Sequence, residues 1–479
     1  MSRRPVLALP PLAGLVALIA ASAKGLYVSP DAVFYVGTAR NWLDGKGFTP
    51  PRGLPPVEHF PPLFTMVLAA LGKAGLDPLD GARVVNALAF AGIVLLVGLV
   101  VRSRTGSVPA ALVASVLSAA AVDLLTYSAS ALSEPLFILL AIAGLVLLAA
   151  FLDRPSPALL LAASALVGAA FLTRYVGIAL VVAGVAALVW RRRWAAAGVF
   201  GALAVAPVTV WLVWAGGRGP SDRTVTLHMF GADYLGQAVR PLSRWLVPWP
   251  GPPVGFVLAV LVLAAGVVLV RRLPASGDGN GSLPLLLVAF AQAYLFVLLA
   301  NRALTDATGR LDARFLAPLH VVAILLVVPA LWRRKLSGSA LALAGVLVLG
   351  QVADGVAWTA GGLTDDGVRR RGYTASALQR SPVMGHPGQP LYTNAVDAVF
   401  FVTGRTSTSI PVKHDYLTGR PNARYAEELA AMRASGGYLA YFDAITFRRS
   451  FLPSRAELEA ALPLEVVLTD DLGTLYRIR

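Results

Sequence analysis

Two carboxylates have neighbours that fit chemistry. Asp31 follows Ser29 and Pro30, so Ser29 can cap a helix, Pro30 take its first position, and Asp31 fall in its first turn. Phe34, Tyr35 and Trp42 then form an aromatic face able to lie along a membrane surface. The helix dipole alone accounts for an acid there, and a catalytic carboxylate is the alternative. Glu134 stands between Ser133 and Pro135 at the start of an apolar run. Helix capping would explain it, but a carboxylate at membrane depth is expensive and tends to face a polar cavity. Asp123 is a lesser candidate of the same kind.

Cations gather near the same edges. Arg174 and Tyr175 separate two apolar runs, and Arg302, Arg310 and Arg314 collect before another. Such arginines need anions, and Asp312, lipid headgroups or a substrate phosphate each qualify. Asp312 and Arg314 also read as a helix-entry pair. Glu58 and His59 precede Pro61 and Pro62, which force an extended entry into an amphipathic segment, 63–76, able to lie in the interface as a lid. Taken alone, His59 is a surface histidine anchoring that entry.

Much chemistry is excluded. There is no Cys, no Gly-rich phosphate loop ending in Gly-Lys-Ser/Thr, no Gly-x-Ser-x-Gly elbow and no His-Glu-x-x-His. The histidines, His59, His228, His320, His386 and His414, show no metal-ligand spacing. Asp31 and Glu134 could still hold a hard divalent ion with waters, so a metal stays open.

The elements that must position these residues are membrane helices. Of 479 residues, 57% are hydrophobic and 14% charged, far fewer charges than a soluble domain carries. The net charge of +15 comes largely from short basic clusters between apolar runs, so it speaks for topology rather than nucleic acid. Spans are expected near 6–23, 82–101, 108–126, 133–152, 156–173, 175–190, 194–215, 253–270, 282–300, 315–332 and 337–358, about eleven in all. The stretch 156–190 is read as two spans with a tight turn, because charge parity then works; one tilted segment with a re-entrant piece is the alternative.

Arg3-Arg4, Arg102, Arg104, Arg154, Arg191–Arg193, Arg271-Arg272 and Arg333-Arg334-Lys335 then share one side, the cytoplasm. The N-terminus is inside, and segments 24–81, 216–252, 301–314 and the tail from about Gly361 are outside. Arg3-Arg4 and Ala21-Ser22-Ala23 also allow a cleaved secretory signal, although Pro10-Pro11 and the length of the run speak against it. Two domains are expected: a transmembrane domain, 1–360, including the first outer loop 24–81, and an extracytoplasmic α/β domain, 361–479. In the tail, 391–394, 398–402, 438–442 and 464–468 read as short strands, and 422–434 and 454–461 as helices.

In order, Asp31 to Tyr35 with Gly45 and Gly47, His59 to Pro62, Ser133 to Leu136, Leu172 to Tyr175, and Asp312 to Pro318 resemble the GT-C superfamily of polyprenyl-phosphate-dependent membrane glycosyltransferases, in the branch of protein O-mannosyltransferases and aminoarabinose transferases. Tyr392 to Asn394 and Phe401 to Arg405 look like the outer domain of bacterial relatives. The resemblance implies that Asp31 is the catalytic carboxylate and Glu134 the second acid, where relatives often carry Asp. It implies that His59, Arg174, Tyr175, Arg310, Asp312, Arg314, Glu58 and Tyr35 serve the donor phosphate or substrate. The aminoarabinose transferases have Lys where this chain has His59, and many relatives follow the first Asp with a second acid where this chain has Ala32.

The implied protein sits in a bacterial inner membrane and moves a sugar from a polyprenyl-phosphate lipid to a cell-envelope lipid, glycan or protein, with no tightly bound cofactor and no nucleic-acid partner. Rival readings are a flippase or transporter of a lipid-linked glycan, and an envelope polymerase or ligase using a pyrophosphate-linked donor.

Overall fold

The computed structural model describes the chain except for residues 1–4, 24, 52–53, 217–224, 226, 228, 230, 249–253, 258–259, 261–280, 306–309, 334–336, 365–375, 386–387, 416–419 and 446–450. Its first ten α-helices are α1 Leu9–Ala21, α2 Pro30–Leu43, α3 Leu63–Lys73, α4 Pro78–Thr105, α5 Val108–Ala120, α6 Val122–Ser128, α7 Glu134–Asp153, α8 Pro157–Thr173, α9 Ile178–Trp190 and α10 Trp194–Gly216. Short helices Ala232–Gly236 and Val239–Arg244 precede three long ones, Ser282–Leu304, Ala313–Trp332 and Gly338–Thr364.

The chain is mostly helical and polytopic. Among the described residues six helices are long and apolar enough to cross a bilayer: α4, α7, α10 and the last three. A seventh results if α5 and α6, bent by 55° where Ala121 interrupts them, form one broken span. Of the other expected spans, 6–23, 156–173 and 175–190 form shorter apolar helices, and 253–270 lies largely outside the described residues. Arg3-Arg4, Arg271-Arg272 and Arg334-Lys335 lie outside them too. Residues 156–190 do form two helices, joined by a 3-10 turn at Tyr175–Gly177. Gly177 permits that turn, because a Cβ there would lie 2.6 Å from Phe171 Cα.

Among the described residues two large cores, with smaller clusters in the tail and beside Trp211, hold the structure together. One fills the bundle around the fully buried Phe90, Phe137, Phe200, Phe290 and Tyr294. The other is shared: Val33, Phe34, Tyr35, Phe64 and Leu68 of the first loop pack with Leu391, Ala398, Val399, Phe442 and Leu475 of the tail. Helix α3 of segment 63–76 is amphipathic as expected: Phe64 and Leu68 are completely buried in that second core while Met66 is exposed.

The tail carries a five-stranded mixed sheet of order β2-β1-β3-β5-β4, with β1 Leu391–Thr393, β2 Thr408–Ser409, β3 Gly437–Tyr441, β4 Leu464–Thr469 and β5 Thr474–Ile478. β1 pairs in parallel with β2 and β3, while β5 is antiparallel to β3 and β4. Three expected strands appear, as do helices Tyr425–Ser435 and Arg455–Ala461. The expected strand 398–402 is instead helical, Val396–Thr403, stopped by Gly404 in the left-handed region at φ 69. This helix docks on α2: a Cβ on Gly37 would lie 3.2 Å from Phe400 Cε1, and the Arg40 guanidinium lies over the Phe401 ring.

Candidate active site

The site forms where the first loop meets the bundle. Ser29 caps α2 as expected, its side chain accepting from Ala32 N, and Pro30 opens the helix so that Asp31 falls in the first turn. Just before it, Tyr27 bridges to Ser130 in a short parallel pairing, with Tyr27 N donating to Ala129 O at 2.9 Å and Ala131 N to Tyr27 O at 3.0 Å. Asn86 of α4 holds the same strip, its Nδ2 donating to Ser130 O and Leu132 O at 2.7 and 2.9 Å. The run-in to Asp31 and the run-in to Glu134 are thus tied side by side.

Glu134 begins α7 and is 2% exposed. It does not cap: Oε1 accepts from Arg174 Nη1 and from Arg314 Nε. Arg314 also reaches the first loop, with Nη2 2.7 Å from Asp31 Oδ2. Arg174 takes part because α8 ends there in extended backbone, φ −149 and ψ 133, which releases the side chain from the helix. Both guanidiniums lie 5.7 Å from the ring centre of Phe315. Two carboxylates and two arginines therefore balance in one partly buried cluster. Burial pushes the Asp31 carboxyl up, but the charge and hydrogen bond of Arg314, with His59 and Arg174 behind it, hold it below its usual range.

The other expected residues fall in three groups. Tyr35 shares a hydrogen bond with Ser133 Oγ at 3.2 Å, and burial raises its hydroxyl pKa, so it stays protonated. Tyr175 is a brace: its hydroxyl donates to Glu58 O at 2.7 Å and accepts from Trp211 Nε1 at 3.1 Å. That fixes the 3-10 turn Val57–His59, where Glu58 is buried with Oε1 lacking a hydrogen-bond partner among the described residues and the His59 ring meets Phe60 edge-on. Asp312 caps helix Ala313–Trp332 by accepting from Arg314 N at 3.1 Å, the helix-entry role. Arg310 stays outside the cluster, exposed, with Nε 3.6 Å from Asp312 Oδ2.

A second buried ionic group lies nearby. Arg244 Nη2 is 3.0 Å from Asp354 Oδ2, and its Nη1 is 4.0 Å from Asp123 Oδ1. Of these three, only Asp123 was singled out in the sequence; an acid inside span 337–358 should have pointed to Asp354. His320 stacks on Trp245, and His228 and His386 lie outside the described residues. Among the described residues no three His, Asp or Glu side chains converge to hold a metal.

Residues 59–214 match the family described as Dolichyl-phosphate-mannose-protein mannosyltransferase, a stretch containing Glu134 and Arg174 but neither Asp31 nor Arg314. No curated protein sequence matches this chain. Similar solved structures include ArnT from Cupriavidus metallidurans bound to undecaprenyl phosphate, 14% identical, covering 99% of this chain and 98% of that one with a TM-score of 0.63. The apo state of ArnT is 16% identical over 100% of this chain and 98% of that one, with a TM-score of 0.53. The chain shares the overall fold of ArnT.

Proposed function

We propose that this chain, built on the GT-C fold, is an inverting glycosyltransferase that moves one sugar from a polyprenyl-phosphate carrier to a cell-envelope acceptor. The reading places the site at the outer face of a bacterial inner membrane, with eleven spans, the N-terminus inside and residues 361–479 outside. The observation that carries it is Arg314 joining Asp31 to Glu134 at the meeting of loop and bundle. Its setting is a fold shared along the whole chain with a protein whose structure holds undecaprenyl phosphate.

A sugar on a polyprenyl phosphate is already activated, so what the enzyme must supply is a base for the acceptor and positive charge for the departing phosphate. Asp31 accepts the proton of the acceptor hydroxyl as its oxygen attacks the anomeric carbon. The carbon–oxygen bond to phosphate breaks on the opposite face, and the carrier leaves as a phosphate monoester. The charge gained by the phosphate equals the charge lost by Asp31 on protonation, so the total charge of the site is unchanged through the step.

In the resting site Arg314 makes Asp31 a weak base. A donor phosphate that draws Arg314 Nη2 to itself frees the carboxylate as the reactants are seated. Arg174 and Arg314 bind the phosphate by their planar forks, assisted by His59 when protonated. Glu134 is a positioning residue that fixes both arginines to one point. Its Oε2, buried without a hydrogen-bond partner among the described residues, is an acceptor available to a sugar hydroxyl.

The test is transfer by purified protein in nanodiscs supplied with a panel of polyprenyl-phosphate sugars and envelope extract, with and without EDTA. Glycosylated product from one donor is expected, and EDTA reports whether a divalent ion is needed. Movement of labelled lipid across the bilayer with no glycosidic product would overturn the reading in favour of a transporter.

A further inference from the structure

At the end of the bundle opposite the carboxylates, two arginines stand together with no acid in ion-pair range among the described residues. Arg104 lies in the last turn of α4, just before Gly106 ends that helix in the left-handed region at φ 67. Arg333 follows helix Ala313–Trp332, which packs against both α4 and α5. Arg333 Nη2 donates to Arg104 O at 3.0 Å, so its guanidinium sits at the C-terminal end of α4, where the helix dipole favours a cation.

Arg104 is the anomaly of this edge. Its Nε and Nη1 are buried and have no hydrogen-bond partner among the described residues. Buried donors of a charged group are normally satisfied, and an orphaned pair calls for an acceptor. The two segments that carry them offer none: no Asp or Glu occurs between Asp80 and Asp123 or between Asp312 and Asp354. Among the described residues neither arginine is in an ion pair. The depth suits a headgroup, since the 20 residues of helix Ala313–Trp332 span about 30 Å from Arg314 to Arg333, the thickness of bilayer hydrocarbon.

We propose that Arg104 and Arg333 form a binding site for a phosphate oxyanion, supplied by an anionic phospholipid headgroup of the adjoining leaflet. The phosphate oxygens accept from Arg104 Nε and Nη1, and its charge offsets the repulsion between the two guanidiniums. The other arginines of that edge follow the topology; Arg104 differs in having two buried donors without a hydrogen-bond partner among the described residues.

The test is native mass spectrometry of the full chain released from nanodiscs of mixed phosphatidylglycerol and phosphatidylcholine, and of protein in detergent with inorganic phosphate. Wild type is expected to retain one phosphatidylglycerol in preference to phosphatidylcholine. R104Q/R333Q should bind it at least tenfold more weakly, R104K in between, and R192Q, which removes a basic charge elsewhere, like wild type. Because preferential retention is read first on wild type, a variant that fails to fold leaves the test intact. Equal retention of the two lipids by wild type would overturn the proposal, as would retention indifferent to R104Q/R333Q in folded protein. Occupancy by inorganic phosphate with no lipid preference would overturn the lipid assignment. The readout is binding, so it stands whether or not the chain transfers sugar.

Discussion

Replacing Glu134 by Gln should uncover how tightly the site is locked. Glu134 Oε1 accepts from Arg174 and Arg314 in a position 2% exposed, and Arg314 alone keeps a second carboxylate, Asp31 at 2.7 Å. Removing the charge leaves Arg174 partly buried with no carboxylate within ion-pair distance among the described residues. A hydrogen bond to a charged group contributes about 1.5–3 kcal/mol, and breaking a buried ion pair by removing one partner costs about 3–5 kcal/mol. Glu134→Gln is therefore expected to destabilise by about 3–5 kcal/mol and Arg174→Gln by about 2–4 kcal/mol. The double variant should cost less than their sum by about 1.5–3 kcal/mol, because each substitution relieves the group the other strands. The assay is equilibrium unfolding in lipid, followed through the emission of the nine tryptophans. Additivity within about 0.5 kcal/mol would refute the ion pair as the reason Glu134 lies where it does.

Arg310→Gln should change stability by less than about 1 kcal/mol and leave transfer nearly intact, since its pair with Asp312 is exposed. Arg174→Gln should lower turnover about a hundredfold; equal effects of the two on initial rates would place the phosphate elsewhere. Gly37→Ala puts a Cβ 2.5 Å from Pro51 Cγ and 3.2 Å from Phe400 Cε1. It should cost about 1–3 kcal/mol and slow transfer by shifting the helix that carries Asp31, and unaltered unfolding and rate would contradict that close approach. In the tail, the Ser454 backbone N–H and then Lys413 hold the Glu457 carboxyl at about 2 against an ordinary 4.5. Its folded pKa is depressed, so its stabilisation is complete above the unfolded value and is lost as pH falls from 4.5 toward 2. Glu457→Gln should remove that part of the acid limb in a pH series of unfolding curves, and an unchanged limb would contradict the capping box.

What was legible in the sequence is what depends on local physics. The cap at Ser29, the break at Arg174, the helix entry at Asp312 and most apolar spans follow from residue type and short-range order. The join of Arg314 to Glu134 across 180 residues does not, because pairing at that range is set by how helices pack rather than by any spacing. The error at 398–402 has a local cause: a run as short as Ala398 to Val402 carries no period that separates strand from buried helix. The shared core of first loop and tail was invisible for the opposite reason, since both contributors look complete as separate segments.

The central claim rests on Asp31 as the base in sugar transfer. The most direct measurement compares wild type with Asp31→Asn, folded and in nanodiscs, for transfer from a polyprenyl-phosphate sugar and, separately, for binding of that donor. Transfer abolished by the substitution with donor binding retained is the predicted result. Full transfer by folded Asp31→Asn would contradict the mechanism.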